Sequence, residues 1–176
     1  IALKSLLDRY KICLTQNFYQ NMSTKFTVIQ DSREKVGAWF FEFEEQCEGQ
    51  IIQCVKTGDY TLVGYEDKLC IERKKTVGEI AVNLGQKWKQ FSAELERMKQ
   101  YKYRYIICEF SIDDVLQYPT NSGIPKKYWS KLRMTGKFLI SKLNKIAEDY
   151  GVEIIYCGDK DTAEKTVLDI FNHVIK

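Results

Sequence analysis

Apolar residues recur along this chain with two periods, near two residues in short runs and near 3.6 in longer ones, and their succession predicts alternating strands and helices. A strand is expected over 26–30. Val36, Trp39, Phe40 and Phe43 then recur at helical spacing with acidic residues between them. Runs over 51–57, 60–63 and 69–73 predict three successive strands. Ile80, Leu84, Trp88, Phe91, Leu95 and Met98 step by three and four, as one face of a long helix. A strand over 105–109 and a polar, Pro-containing loop over 118–125 follow. A second long helix is expected over about 126–149 with Gly151 as its terminator. A strand over 152–157 and a last helix marked by Ala163, Val167, Ile170, Phe171 and Val174 complete a mixed α/β sandwich around a central sheet.

Residues 1–21 stand outside this pattern. Leu3, Leu6, Leu7 and Tyr10 can share a helical face, and Met22-Ser23-Thr24-Lys25 reads as an ordinary translation start just before the first strand. The expected organisation is an accessory segment over 1–21 and one domain over 22–176. With 176 residues, 44% of them apolar and 13% aromatic, the chain can bury one sizeable core. Cys13, Cys47, Cys54, Cys70, Cys108 and Cys157 show no CxxC spacing. Those at 54, 70, 108 and 157 fall in predicted strands and read as small buried hydrophobes of a reducing compartment. No apolar run approaches the roughly 20 residues of a membrane span. The expectation is a soluble intracellular protein, cytoplasmic or, in a eukaryote, nuclear. The single histidine, His173, argues against mechanisms that need histidine at the working centre.

Chemistry must then run on carboxylates and lysine, and one stretch supplies them. Gly58-Asp59-Tyr60 reads as a tight turn entering a strand, and Lys68-Leu69-Cys70-Ile71 runs straight into Glu72-Arg73-Lys74. Two carboxylates on adjacent strands with a lysine beside them are the parts of a metal-dependent phosphodiesterase, since hard cations take oxygen ligands. This Gly-Asp, hairpin, Glu-Arg-Lys pattern resembles the nuclease domain of XPF/Mus-type structure-specific endonucleases, a branch of the restriction-endonuclease-like PD-(D/E)XK superfamily. Val28-Ile29-Gln30-Asp31-Ser32-Arg33-Glu34 and Ile106-Ile107-Cys108-Glu109 are similar to two further blocks of that family. The resemblance runs over roughly residues 26–175 and implies a restriction-endonuclease-like α/β fold, a central mixed sheet flanked by helices. It implies DNA as partner, a homodimer or heterodimer as candidate assemblies, and Mg2+ or Mn2+ as cofactor.

The site expected on these grounds has Asp59 and Glu72 as metal ligands, completed by the Arg73 backbone carbonyl. Asp31 and Glu79 are further candidate ligands. Lys74 would orient or deprotonate the attacking water, and the Arg73 and Arg33 side chains would hold phosphate or the site's carboxylates. The family expects an Asp three intervening residues after its Lys, where this chain has Gly78 followed by Glu79. Thr76-Val77-Gly78-Glu79 also reads as a capping box. Restoring the carboxylate by Gly78→Asp is expected to raise or hold activity. From 126 to 147, Lys126, Lys127, Lys131, Arg133, Lys137, Lys142 and Lys145 occur without an acidic residue, a strip suited to phosphate contacts through Lys127, Lys131, Lys142 and Lys145. Lys99 to Tyr105 interleaves tyrosine with basic residues, most simply as a strand entry. The function expected is metal-dependent endonucleolytic cleavage of branched or structured DNA. The alternative is a nuclease-fold DNA-binding scaffold with weak or no catalysis.

Overall fold

The computed structural model describes residues 25–120, 122 and 124–176; the proposed accessory segment over 1–21 lies outside them. Six strands form one sheet in the order β2-β1-β3-β4-β5-β6, where β1 is Phe26–Asp31, β2 Cys47–Gln53, β3 Tyr60–Leu62, β4 Leu69–Lys74, β5 Tyr103–Cys108 and β6 Glu153–Tyr156. β1 pairs parallel with β2 and antiparallel with β3, β3 is antiparallel to β4, and β4, β5 and β6 are parallel. This is the expected mixed sheet. The expected strand over 51–57 is instead Cys47–Gln53, and it is an edge strand rather than a neighbour of β3, because β1 inserts between them.

Helices cover both faces. One core joins Cys70, Ile106 and Cys108 of the sheet to α1 (Val77–Leu84), α2 (Trp88–Met98) and α4 (Gly136–Tyr150). The other joins Val28, Tyr60, Leu62, Ile71 and Ile107 to Trp39, Phe41 and α5 (Lys160–Val174). A short helix α3 (Ile112–Leu116) links β5 to the loop before α4 and opens on a capping box between Ser111 and Asp114.

Three expected helices are cut differently. The apolar face over 80–98 belongs to two helices, because the chain breaks at Gly85, whose N–H closes α1 on the Ala81 carbonyl at 3.1 Å; glycine is the weakest helix former after proline. The region over 126–149 is a 3-10 helix, Lys126–Lys131, followed by a non-helical link and then α4. Thr135 starts α4 by accepting the Phe138 N–H at 3.3 Å, and Gly151 ends it in the left-handed conformation at φ 60°. Residues 36–43 are not helical. Trp39 and Phe41 are buried while Phe40 and Phe43 are exposed, a pattern set by pairing with the sheet. The Gln50 side chain of β2 accepts the Phe41 N–H at 3.0 Å and donates to the Trp39 carbonyl at 2.9 Å.

Among the cysteines, Cys70 and Cys108 are buried strand residues as expected, but Cys54 is exposed and lies beyond β2, and Cys157 is half-buried just past β6. Cys13 lies outside the described residues. No helix among the described residues is long and apolar enough to cross a membrane.

Candidate active site

All six residues of β4 are buried. A central strand buried on both faces normally reads as an apolar run, yet the second half of this one is Glu72-Arg73-Lys74. Three consecutive buried charges are tolerable only if each is paired, and strand alternation splits the pairing between the two faces of the sheet.

On the α1/α2 face, Lys74 Nζ sits 2.6 Å from Glu72 Oε1 and 3.4 Å from Glu79 Oε1, and 5.3 Å from the centre of the Phe91 ring. Asp59 is brought alongside by backbone bonds: its N–H donates to the Ile71 carbonyl at 2.8 Å and its carbonyl accepts the Asp31 N–H at 2.7 Å. Its Oδ2 accepts the Arg73 N–H at 2.8 Å. Gly58 makes this approach possible. It holds φ +81°, and a Cβ there would stand 2.7 Å from Cys70 Sγ and 2.9 Å from the Ile71 carbonyl oxygen. A cleft of about 450 Å3 opens beside these groups, bounded by Glu72, Lys74, Glu79, Lys87, Phe91 and Glu94.

The electrostatics are those of crowded, poorly hydrated carboxylates. Burial pushes the Asp59 carboxyl up to about 7, against the opposing Arg73 N–H and Lys74 charge. Burial, then the Asp59 charge, raises Glu72 well above the carboxylate range, although Lys74 pulls the other way. Glu94 adds to the repulsion on both. Burial disfavours the Lys74 ammonium, but Glu72 and Glu79 outweigh it and raise its pKa, so the charged form prevails. A lysine held as ammonium offers hydrogen-bond donors and a positive charge to the cleft.

The other predicted site residues fall elsewhere. Asp31 and Arg33 form their own clasp: Asp31 Oδ1 takes the Arg33 Nε at 2.7 Å and its backbone N–H at 2.7 Å, while Oδ2 takes Arg33 Nη2 at 3.0 Å and the Val55 N–H at 2.8 Å. Burial raises Asp31, but Arg33 and the Val55 N–H prevail and hold it below its ordinary value. With four donors on two oxygens, its side chain ties the end of β1 to the chain after β2. The Arg73 guanidinium points to the opposite face, where it meets Glu109 at 2.7 Å and Glu34 at 2.6 Å. The carboxylates it holds are therefore those of the back face and not Asp59 or Glu72. Glu79 caps differently from expectation. Thr76 Oγ1 accepts the Glu79 N–H at 3.1 Å, but the Glu79 carboxylate returns to the Lys75 N–H at 3.0 Å rather than to Thr76.

The basic strip is divided by the break before α4. Lys127 and Lys131 lie on the 3-10 helix, and Lys142 and Lys145 on α4, all exposed. Lys131 and Arg133 border a second cavity of about 240 Å3 that shares Gly78 and Val82 with the first, whereas Lys145 lines a separate depression with Glu148 and Asp149. Glu94 and Lys87 at the cleft, and Trp39 behind it, were not anticipated as site residues. Glu94 could have been found as an acidic residue three positions after Phe91, on the flank of the apolar face of α2.

Among the described residues, no three His, Cys, Asp or Glu side chains are grouped as a ready metal cluster. The ERCC4 domain family model matches residues 30–168. The structure of XPF from Aeropyrum pernix is similar with a TM-score of 0.55 at 20% identity, over 82% of this chain and 61% of that one. XPF from Aeropyrum pernix in complex with DNA is similar with the same TM-score and identity, over 83% of this chain and 62% of that one. The chain thus spans about 61–62% of the length of these solved chains. No curated protein matches it. With the ERCC4 domain model matching over most of its length, and with the fold of the XPF structures, this chain belongs to the ERCC4 domain family.

Proposed function

We propose that the chain is a divalent-metal-dependent endodeoxyribonuclease that hydrolyses phosphodiester bonds in branched or structured DNA such as a flap, fork or junction. The observation that carries this is the meeting of the Glu72 carboxylate and the Lys74 ammonium at one cleft, at buried positions where charge is costly, with the Asp59 carboxylate near enough to repel Glu72. The donor set fits a hard cation. Asp59 and Glu72 supply oxygen, and their mutual repulsion is what a divalent ion would offset. Asp59, Glu72 and the Arg73 carbonyl would hold Mg2+ or Mn2+, with Glu79 across the cleft as the further carboxylate; Asp31 is occupied by its own donors. When bound, the ion would supply Lewis acidity and an activated water.

Lys74, kept charged by Glu72 and Glu79, would contact the phosphate and steady the water. Lys131 and Arg133, bordering the adjoining cavity, would guide the DNA backbone toward the cleft. The DNA complex of the Aeropyrum pernix relative supports DNA as the partner. The scaffold reading keeps one observation in its favour: Gly78 stands where the family carries a carboxylate, and the Ser122 carbonyl fills the space beside it.

Labelled branched and linear duplexes incubated with Mg2+, Mn2+ or EDTA decide between the two. Cleavage of branched substrates that requires metal supports the nuclease. Binding without cleavage on every substrate gives the scaffold reading its place, and full activity in EDTA sinks the metal requirement.

A further inference from the structure

Trp39 is fully buried on the face of the sheet opposite the cleft and touches both strands that carry the candidate carboxylates. Its ring stacks on Tyr60, the residue after Asp59, at 4.8 Å between centroids and 28° between planes. Its backbone N–H donates to the Tyr60 hydroxyl oxygen at 2.8 Å. The Arg73 guanidinium, between Glu72 and Lys74 in the chain, lies 5.2 Å from the indole centre. The indole N–H donates to Glu109 Oε1 at 2.6 Å, and the same oxygen accepts Arg73 Nε at 2.8 Å. Glu34 holds the other end of the guanidinium at 2.6 Å.

A side chain that packs on Tyr60 and cages Arg73 from behind sets where β3 enters relative to β4. Across that junction Asp59 is tied to β4 by its own N–H to the Ile71 carbonyl at 2.8 Å and by the Arg73 N–H to its Oδ2 at 2.8 Å. Buried aromatic packing and charge-assisted bonds resist small shifts. We infer that Trp39, together with Glu109, is a positioning residue that fixes the spacing of Asp59 against Glu72 and Lys74 from the back of the sheet. This rests on the nuclease reading for its consequence in catalysis, but the positioning itself is a property of the free protein.

Trp39→Phe keeps a ring but removes the indole donor, and Glu109→Gln keeps an acceptor but removes the charge facing Arg73. Amide hydrogen exchange is measured first, without DNA or metal. Both variants are expected to speed exchange at the Arg73 N–H by about tenfold or more while Ile106 in β5 keeps its protection. On a substrate the wild type cuts, kcat falls by about tenfold with KM unchanged, since neither residue reaches the DNA. Wild-type exchange at Arg73 in both variants overturns the inference, and so does a uniform rise over the whole sheet, which would mark a merely structural role. If Trp39→Phe does not fold, Glu109→Gln carries the test. If the wild type cuts no DNA, the nuclease reading fails on its own and the exchange result still decides the positioning role.

Discussion

A Cβ built on Gly78 would stand 2.9 Å from the carbonyl oxygen of Ser122, closer than ordinary contact allows. The Ser122 backbone therefore rests on the first turn of α1, at the position where the sequence resemblance implies an acidic side chain. Any residue larger than glycine must push backbone aside, and overpacking of this kind typically costs about 1–3 kcal/mol. The expectation that Gly78→Asp would raise or hold activity meets this contact, and the structure favours the opposite outcome. Gly78→Ala and Gly78→Asp should both lower the melting temperature by several degrees, and neither should gain cleavage activity. A melting curve and one cleavage assay per variant check this; a stable, more active Gly78→Asp would show that the loop yields freely.

Catalysis, if it uses the cleft as proposed, should depend on three side chains that play different parts. Asp59→Asn and Glu72→Gln remove oxygen charge facing the cation, and Lys74→Ala removes the ammonium 2.6 Å from Glu72. Each is expected to lower the metal-dependent rate by at least about a hundredfold. The two carboxylate variants should also weaken Mn2+ binding, while Lys74→Ala need not. Single-turnover rates and Mn2+ titration separate these roles, and near wild-type rates in all three would remove the site.

The pH dependence of stability has a definite sign. Asp59 is raised by burial from 3.8 to about 7 in the folded protein, so the folded state binds that proton more tightly than the unfolded chain. Its contribution is full below its unfolded pKa and is lost as pH rises through about 7, and Glu72 acts in the same direction. Asp31, whose carboxyl is lowered, acts in the opposite sense but only in the acid range. Without metal, the melting temperature should fall between about pH 5 and pH 8, less steeply in Asp59→Asn. Mg2+ should restore more stability at the upper end, where the carboxylates are free of protons to compete. An identical slope in wild type and Asp59→Asn would refute the assignment.

DNA binding should be unequal along the two halves of the basic strip. Lys131 borders the cavity that adjoins the cleft and Lys127 shares its 3-10 helix, so replacing both with Gln removes charge from that end, whereas Lys145 lies beside Glu148 and Asp149. The first pair should flatten the salt dependence of binding by up to about 0.9 per lost phosphate contact, for every DNA sequence alike. Lys142→Gln with Lys145→Gln should change it less. Equal slopes for the two double variants would mean that the strip works as one surface despite the break before α4.

The local patterns were enough for the class of fold, the order of most strands and helices, and the candidate centre. Gly58-Asp59 and Glu72-Arg73-Lys74 declare themselves because alternation along a strand sends Glu72 and Lys74 to one face whatever surrounds them. They could not say which strand lies beside which, since β1 enters between β2 and β3 through pairings far apart in the chain. Periodicity also misread 36–43 and 126–149. The burial of Trp39 against Tyr60 and the packing of Leu132 and Met134 on the core that includes α1 override helical spacing, and neither partner is local. The roles of charged residues were the least legible. Asp31, Arg33, Arg73 and Glu79 carry the same charges in any conformation, but whether each faces the cleft, the back of the sheet or its own neighbour depends on distances between separate elements. Those distances exist only once the sheet has closed on its two layers of helices, and they are why Arg73 holds Glu34 and Glu109 while Glu72 and Lys74 face the cleft together.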